Sequence, residues 1–532
     1  MNPKWANVVI RTKARRTTMN DAKPAWGPIG REVYERTYSR TMEDGSKEQW
    51  MDTVKRVVAG NTALGNTSRL WIAEKDLLSR LMLNFDVLPA GRHLWVSGVP
   101  GRQFLFNCHR AGWTSNLSDH FGFVFDELMK GGGIGANYSD EYMARAEMNP
   151  SVSEFNVAII ASDHPDRAEI NPDWKNHSFR SVVVDDSREG WVAAVTVLLE
   201  AHQHGFGGPL LQFDVSNVRP RGSLIHGFGG TASGPGPLAD MLRSIHLVLC
   251  GARGQKVLTW QQAMEIDHHV SRCVIAGNVR RSARMSIKLW SDPDILDFIN
   301  VKADTGKHWT TNISVEFDDA WFEGGQDTPQ GEQVRNAIAH AALKNGEPGL
   351  FNSELASGGE TGDVRSTNPC GEIALEEWEN CNLGHVNIGK IKAEDLEPAL
   401  RAMARFLIRA TFSDIDNPLQ REVVDRNRRI GVGLFGFQEW VIKEFGVRYS
   451  DSHKSEEIKN KLRWMKSIVR QEATTYASEL GINAPIKVTT VAPTGTVAKL
   501  PGASEGIHPI YAKYFIRRVR YADSDTSLNH LS

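Results

Sequence analysis

With 532 residues, 41% hydrophobic and 24% charged, the chain is long enough to bury a large core and has a globular composition. A formal net charge of −2 argues against wholesale binding to nucleic acid or anionic membrane, and no apolar run reaches transmembrane length. Five cysteines, at 108, 250, 273, 370 and 381, are too few and too scattered for a disulfide scaffold, and none shows the CxxC spacing of a zinc site. They suit a reducing cytosol. The basic N-terminus lacks the apolar segment of a signal peptide, so a cytoplasmic location is expected.

The elements follow in chain order. Residues 1–20 are basic and expected to be loose. Trp50, Val54 and Val57 then recur at helical spacing, which predicts a helical N-terminal domain over 1–88. Residues 104–108, Phe-Leu-Phe-Asn-Cys, read as a short buried strand, and 118–130 as a helix. The glycine run 131–135 lacks the Lys-Ser/Thr of a phosphate-binding P-loop; a plain turn and a backbone approached by ligand both fit it. Residues 141–205 are polar and read as an inserted unit ending in an amphipathic helix over 191–202.

A stretch rich in Gly, Ala, Ser and Thr at 227–235 suits an anion or a mobile loop, and a helix is expected over 236–252. Residues 276–283 contain Gly277, Asn278, Arg280 and Arg281, a pattern for phosphate or for a solvated turn. Strands are predicted over 284–287 and 312–317. Core-facing helices are predicted over 392–412 and 455–480, separated by a Gly-interrupted apolar segment at 428–440. A strand over 488–492 then opens into Pro493-Thr494-Gly495-Thr496, a hydroxyl- and glycine-rich turn suited to phosphate. Together these elements make an α/β chain.

The most informative stretch is 366–390, STNPCGEIALEEWENCNLGHVNIGK. Pro369 fixes its own φ and biases Asn368 toward an extended conformation, and Gly371 lets the backbone turn just past Cys370. The pattern presents a thiol between an amide and a carboxylate, Asn368 and Glu372, with a second thiol at Cys381. A reduced cysteine buried in a turn is the bland alternative.

This stretch closely resembles the finger loop of ribonucleotide reductases, and NPCGE followed by NLGHVNI is similar to the adenosylcobalamin-dependent class. WGPIG at 26–30, AGRHLW at 90–95, GGGIG at 131–135, GFGGTASGP at 227–235, AGNVRRSA at 276–283 and PTGT at 493–496 carry the same resemblance along the chain. The insertion at 141–205 resembles that of the monomeric ribonucleoside-triphosphate reductases, in which it stands in for a dimer partner at the effector site.

The resemblance implies a ten-stranded α/β barrel over 89–532, made of two five-stranded halves with the finger loop through its centre. It implies that adenosylcobalamin starts radical chemistry, that Cys370 becomes the thiyl, and that Glu372 is the base on the 3′-hydroxyl. Asn368 would hold a ribose hydroxyl, and Cys108 with Cys381 would supply the reducing equivalents and end as a disulfide. Gly132 and Gly133 would line the substrate; Thr494, Gly495 and Thr496 would take its phosphates. Gly277, Asn278, Arg280 and Arg281 would link a deoxyribonucleoside triphosphate effector to base choice. No metal-ligating side chains are implied. The expected partners are a ribonucleoside triphosphate and a thioredoxin-like reductant.

Family members end in a cysteine pair, whereas no cysteine follows Cys381 here. Final barrel elements, part of the cobalamin surface and the reducing tail are therefore expected to be missing, the sequence being a split-gene half with a separate C-terminal polypeptide, an interrupted reading frame or a truncated product. The alternative is a nucleotide-binding fragment of a split reductase, inactive without that polypeptide.

Overall fold

The computed structural model describes residues 24–516 apart from 43, 66–70, 100–103, 171–179, 224, 226–230, 277–282, 305, 513 and 515. Gly277, Asn278, Arg280, Arg281 and the glycines at 227–230 lie outside the described residues.

Fourteen strands are described. In chain order they are β1 (Val87–Pro89), β2 (Cys108–Arg110), β3 (Gly133–Asn137), β4 (Asn156–Ile160), β5 (Arg180–Val183), β6 (Leu210–Asp214), β7 (Arg284–Leu289), β8 (Asn312–Phe317), β9 (Gly349–Asn352), β10 (Ser366–Thr367), β11 (Ala374–Leu375), β12 (Asn380–Cys381), β13 (Leu383–Asn387) and β14 (Gly431–Phe435). The largest sheet has the order β12-β2-β3-β7-β8-β9. Its five members β2, β3, β7, β8 and β9 run parallel, and β12 pairs antiparallel with β2 at the edge. β3 and β7 are buried along almost their whole length, as parallel strands covered on both faces must be.

A second sheet has the order β1-β13-β14, with β13 and β14 parallel. Only Asn382 separates β12 from β13, so the two sheets adjoin at Cys381 and Leu383.

The crossovers follow the rule that parallel strands need long connections. The helix Leu117–Met129 joins β2 to β3, and Asn116 caps it by accepting from the Ser118 N–H at 3.2 Å. The helix Pro329–Asn345 joins β8 to β9. Between β3 and β7 the chain leaves the sheet to build β4-β6-β5, a small parallel sheet, with the helices Arg188–His204, Gly236–Gly251 and Trp260–Ile275.

Two large cores result. One lies under the six-stranded sheet and extends into the inserted sheet and helices. The other joins the N-terminal helices Gly30–Thr37, Trp50–Ala63 and Trp71–Leu83 to Ala393–Ala410 and Glu456–Leu480, with Trp26, Tyr34, Trp50 and Phe85 packed ring against ring. Leu396, Leu400, Met403 and Leu407 face this core, as their spacing predicts.

Three local expectations shift. The strand expected over 104–108 begins only at Cys108, because its partner β3 starts at Gly133 and the register pairs those two residues. The glycine run is a turn only at Gly131, where φ is +77°; from Gly133 it is a buried strand. The strand expected over 488–492 is reduced to an isolated parallel bridge, Thr489 to Val432, and the turn after it leads into a short 3-10 helix, Gly495–Lys499.

Candidate active site

β10 and β11 form a two-rung antiparallel hairpin with residues 368–373 at its tip. The tip is a β-turn in which the Gly371 N–H donates to the Asn368 carbonyl at 3.0 Å. Pro369 sits where its fixed φ is needed, and Gly371 has φ +80°, which a Cβ would oppose. Asn368 closes the base of the loop: its N–H donates to the Ile373 carbonyl at 3.1 Å, and its Oδ1 accepts from the Ile373 N–H at 3.3 Å. Two further bonds hold the tip from outside. Asn312 on β8 donates to the Pro369 carbonyl at 3.0 Å, and the Thr490 hydroxyl donates to the Glu372 carbonyl at 2.8 Å.

The hairpin lies directly on β3. A Cβ on Gly135 would come within 1.7 Å of the Thr367 carbonyl oxygen, and one on Gly133 within 2.7 Å of Pro369 Cγ. These glycines exist to admit the finger. Gly132 is filled on another side, where a Cβ would meet the His109 ring at 2.9 Å.

The finger brings Cys370 to two other thiols. β12 pairs with β2 so that Cys381 and Cys108 are direct cross-strand partners. Such partners have Cα atoms about 4.5–5.5 Å apart, inside the range a disulfide spans. The Cys108 sulfur lies close enough to those of Cys370 and Cys381 for both to shift its proton affinity. Cys108 and Cys381 are buried with Ala90, Ile373, Leu375 and Leu383, while Cys370 at the tip is exposed.

The electrostatics keep Cys370 and Cys108 protonated. The Cys370 thiol is pushed well up by its hydrogen bond with Cys108, then by burial of its sulfur and by the Glu372 carboxylate. For Cys108 the bond with Cys370 favours the thiolate, but Cys381, burial and Glu372 outweigh it and push the thiol up. Glu372 is itself raised, chiefly by burial, with its backbone and the Asn368 side chain pulling the other way. Glu372 Oε2 and Asn368 Nδ2 are buried and have no hydrogen-bond partner within the chain. Two unmatched polar atoms flanking Cys370 are what a hydroxylated ligand would satisfy. Glu372 also opens on a cavity of about 140 Å³, lined by Glu360, Arg429, Lys487 and Thr490 among others.

The Pro493-Thr494-Gly495-Thr496 turn is strained, with φ of +52° at Thr494 and +51° at Gly495. Thr494 Oγ1 accepts from the Gly506 N–H at 2.9 Å. Thr490, which holds the finger, lies only four residues before Thr494, within about 14 Å along the chain. A separate cavity of about 460 Å³ lies between the inserted unit and the barrel helices, with Phe104, Phe125, Arg188, Trp191, Arg219 and Ser233 in its wall.

Sequence reasoning reached Asn368, Cys370, Glu372, Cys108 and Cys381, and the hairpin and sheet edge bring all five together. It missed Asn312 and Thr490, whose signals are ordinary strand and turn residues with no local pattern.

Domain models match three stretches: the ribonucleotide reductase alpha domain at residues 13–99, the insertion domain of B12-dependent ribonucleotide reductase at 153–249, and the ribonucleotide reductase barrel domain at 325–485. A Mycobacterium phage D29 protein, provisionally named an adenosylcobalamin-dependent ribonucleoside-triphosphate reductase, is 46% identical over 95% of this chain and 77% of its own length. The chain belongs to the adenosylcobalamin-dependent ribonucleotide reductases. The Lactobacillus leichmannii adenosylcobalamin-dependent ribonucleoside-triphosphate reductase is 34% identical over 98% of this chain and 78% of its own. A crystal structure of a B12-dependent (class II) ribonucleotide reductase superposes with a TM-score of 0.79 at 31% identity, over 92% of this chain and 76% of that one. The Actinobacillus ureae class Id alpha subunit shares the fold at a TM-score of 0.58 and 13% identity. Among the described residues no helix is long and apolar enough to cross a membrane.

Proposed function

We propose that this chain reduces ribonucleoside triphosphates to 2′-deoxyribonucleoside triphosphates, with Cys370 as the radical-bearing residue and Cys108 with Cys381 as the reductant. The observation that carries this is the meeting of three thiols, with Cys370 on an exposed residue at the fingertip, beside a carboxyl and an amide with unmatched polar atoms.

Adenosylcobalamin, when bound, supplies the ability to draw a hydrogen atom from a thiol. The residues fit that demand: Cys370 is exposed at the fingertip and is held as S–H, the form that gives up a hydrogen atom. The Cys370 sulfur then removes the substrate's 3′-hydrogen. Glu372 takes the 3′-hydroxyl proton, for which a carboxyl raised by burial is suited. Asn368 Nδ2 donates to a ribose hydroxyl. The 2′-hydroxyl leaves as water, taking one hydrogen from the thiol pair. The second hydrogen from the pair passes to C2′ and completes the 2′-CH₂; the electron left on the pair, together with the proton returned by Glu372, restores the 3′-hydroxyl, and the 3′-hydrogen returns from Cys370. The balance is two thiols oxidised to one Cys108–Cys381 disulfide for each hydroxyl lost as water.

The six- and three-stranded sheets fit the two halves of a ten-stranded barrel, β2, β3, β7, β8 and β9 making one five-stranded half. Thr494, Gly495 and Thr496 would receive the triphosphate, and Gly132 and Gly133 would back the substrate beside the finger. The larger cavity would take a deoxyribonucleoside triphosphate effector, at the junction of insertion and barrel. It ends at Cys273 and Val274, just before the loop with Gly277, Asn278, Arg280 and Arg281. A thioredoxin-like dithiol would reduce the disulfide, the chain acting as a monomer with a separate C-terminal polypeptide where required.

The test is a reductase assay with adenosylcobalamin and a dithiol, comparing the wild type with Cys370→Ser. Turnover in the wild type and none in the variant is expected. Normal turnover by Cys370→Ser would contradict the assignment.

A further inference from the structure

We propose that His202, His246 and Cys250 form a binding site for a divalent transition-metal ion of the zinc type within the inserted unit. His202 comes from the helix Arg188–His204, and His246 and Cys250 from the neighbouring helix Gly236–Gly251. His246 and Cys250 are four residues apart, which puts them on one face of their helix. One ligand atom from each of the three residues lies within 4.8 Å of the others.

Two of the three edges between ligand atoms approximate those of a tetrahedral site, and the third, His202 to Cys250, lies within 4.8 Å. His202 Nε2 and His246 Nδ1 share a hydrogen bond at 3.0 Å, and Cys250 Sγ lies 3.9 Å from that same His246 Nδ1. Around an ion bonded to nitrogen at about 2.0–2.1 Å and sulfur at about 2.3 Å, the tetrahedral edges are about 3.3 Å and about 3.6 Å. Shifts of a few tenths of an ångström, within side-chain freedom, bring the observed edges to those values.

Two of the three groups are already in ligand form, and the third must give up its proton for the ion. Burial, then His246 and Arg253, hold the His202 imidazole down to about 3, so it offers a lone pair rather than a charge. Burial and Arg253 lower His246 in the same way. Burial raises the Cys250 thiol, Arg253 opposes that, and Glu154, paired with Arg253 at 3.2 Å, adds to the rise. Phe155 packs its ring against both imidazoles, at 4.6 and 5.4 Å between centroids, and walls one side of the site. Cys250 is only half-buried, which provides an entry path and leaves the fourth position to water.

Binding balances without redox change. The proton shared by the imidazoles moves to the other nitrogen of its ring. Cys250 releases its thiol proton to solvent, and three ligand bonds form. The ion would tie together two helices whose opposite ends reach the large cavity: Arg188 and Trp191 begin one, and Ser233 and Gly234 immediately precede the other. At 1.5 Å per residue, His202 is roughly 20 Å along its helix from Arg188. The CxxC search does not find this cluster, because its ligands are an i, i+4 pair and one residue from another helix.

The experiment titrates zinc, against a chromophoric chelator, into the full chain purified without metal or cobalamin. One ion per chain is expected in the wild type and equally in Cys370→Ser, which disturbs the central thiols instead. Cys250→Ser and His202→Gln should weaken binding on the order of 100-fold or more. Cobalt(II) in place of zinc should give the wild type a thiolate-to-metal charge-transfer band that Cys250→Ser lacks, a readout that does not depend on the variants' stability. No uptake by the wild type, an affinity unchanged by Cys250→Ser, or a site lost with Cys370→Ser would each overturn the proposal.

Discussion

The two thiol clusters of this chain use the same functional group in opposite ways. At the finger, three sulfurs meet a carboxyl, and the balance of influences on Cys370 and Cys108 keeps their protons on sulfur. In the insertion, one sulfur meets two neutral imidazoles and an arginine. The first is a store of S–H bonds and hydrogen atoms; the second is a set of lone pairs. Burial pushes the thiol up at both places; what differs is the neighbours, a carboxyl and two thiols at one, two imidazoles and an arginine at the other.

The comparison is broken most severely at the fingertip. Cys370→Ser should lower turnover by at least about 1,000-fold, because a hydroxyl does not replace the S–H bond, while nucleotide binding measured by equilibrium dialysis persists. Glu372→Gln should cost about 100-fold or more in kcat. In the wild type the acid limb of the pH–rate profile should lie above the range of an ordinary glutamate, since burial raises Glu372. For stability, a carboxyl raised in the fold is costly at high pH: the loss grows as pH climbs from the unfolded value and is complete above the raised pKa. Glu372→Gln should therefore unfold at higher denaturant than the wild type above that pH, with the gap closing in acid.

Smaller effects come from the support of the finger. Gly135→Ala pushes a methyl into the Thr367 carbonyl and should lower the unfolding free energy by roughly 1–3 kcal/mol in denaturant melts, with a parallel loss of kcat. Asn312→Ala removes the bond to the Pro369 carbonyl and should cost about 0.5–1.5 kcal/mol, read the same way.

Local signals and long-range contacts divided what could be read in advance. Strand β8 and the helix Glu456–Leu480 follow from periodicity, because their own side chains state which face is buried. The NPCG turn follows from the φ that Pro369 fixes and the positive φ that Gly371 permits. The glycines of β3 could not be read, since their reason is a hairpin more than 200 residues away in sequence. The same holds for β12, two residues long, whose place beside β2 pairs Cys381 with Cys108. The motifs carried the chemistry; the meeting of the cysteines required the sheet.

The most direct test of that meeting is a single turnover by the fully reduced chain, without added dithiol, followed by mapping of linked peptides by mass spectrometry. The account predicts a disulfide between Cys108 and Cys381 that accumulates in proportion to the deoxyribonucleotide formed. Product formed while both cysteines remain free thiols, or a disulfide through Cys250 or Cys273 instead, would contradict it.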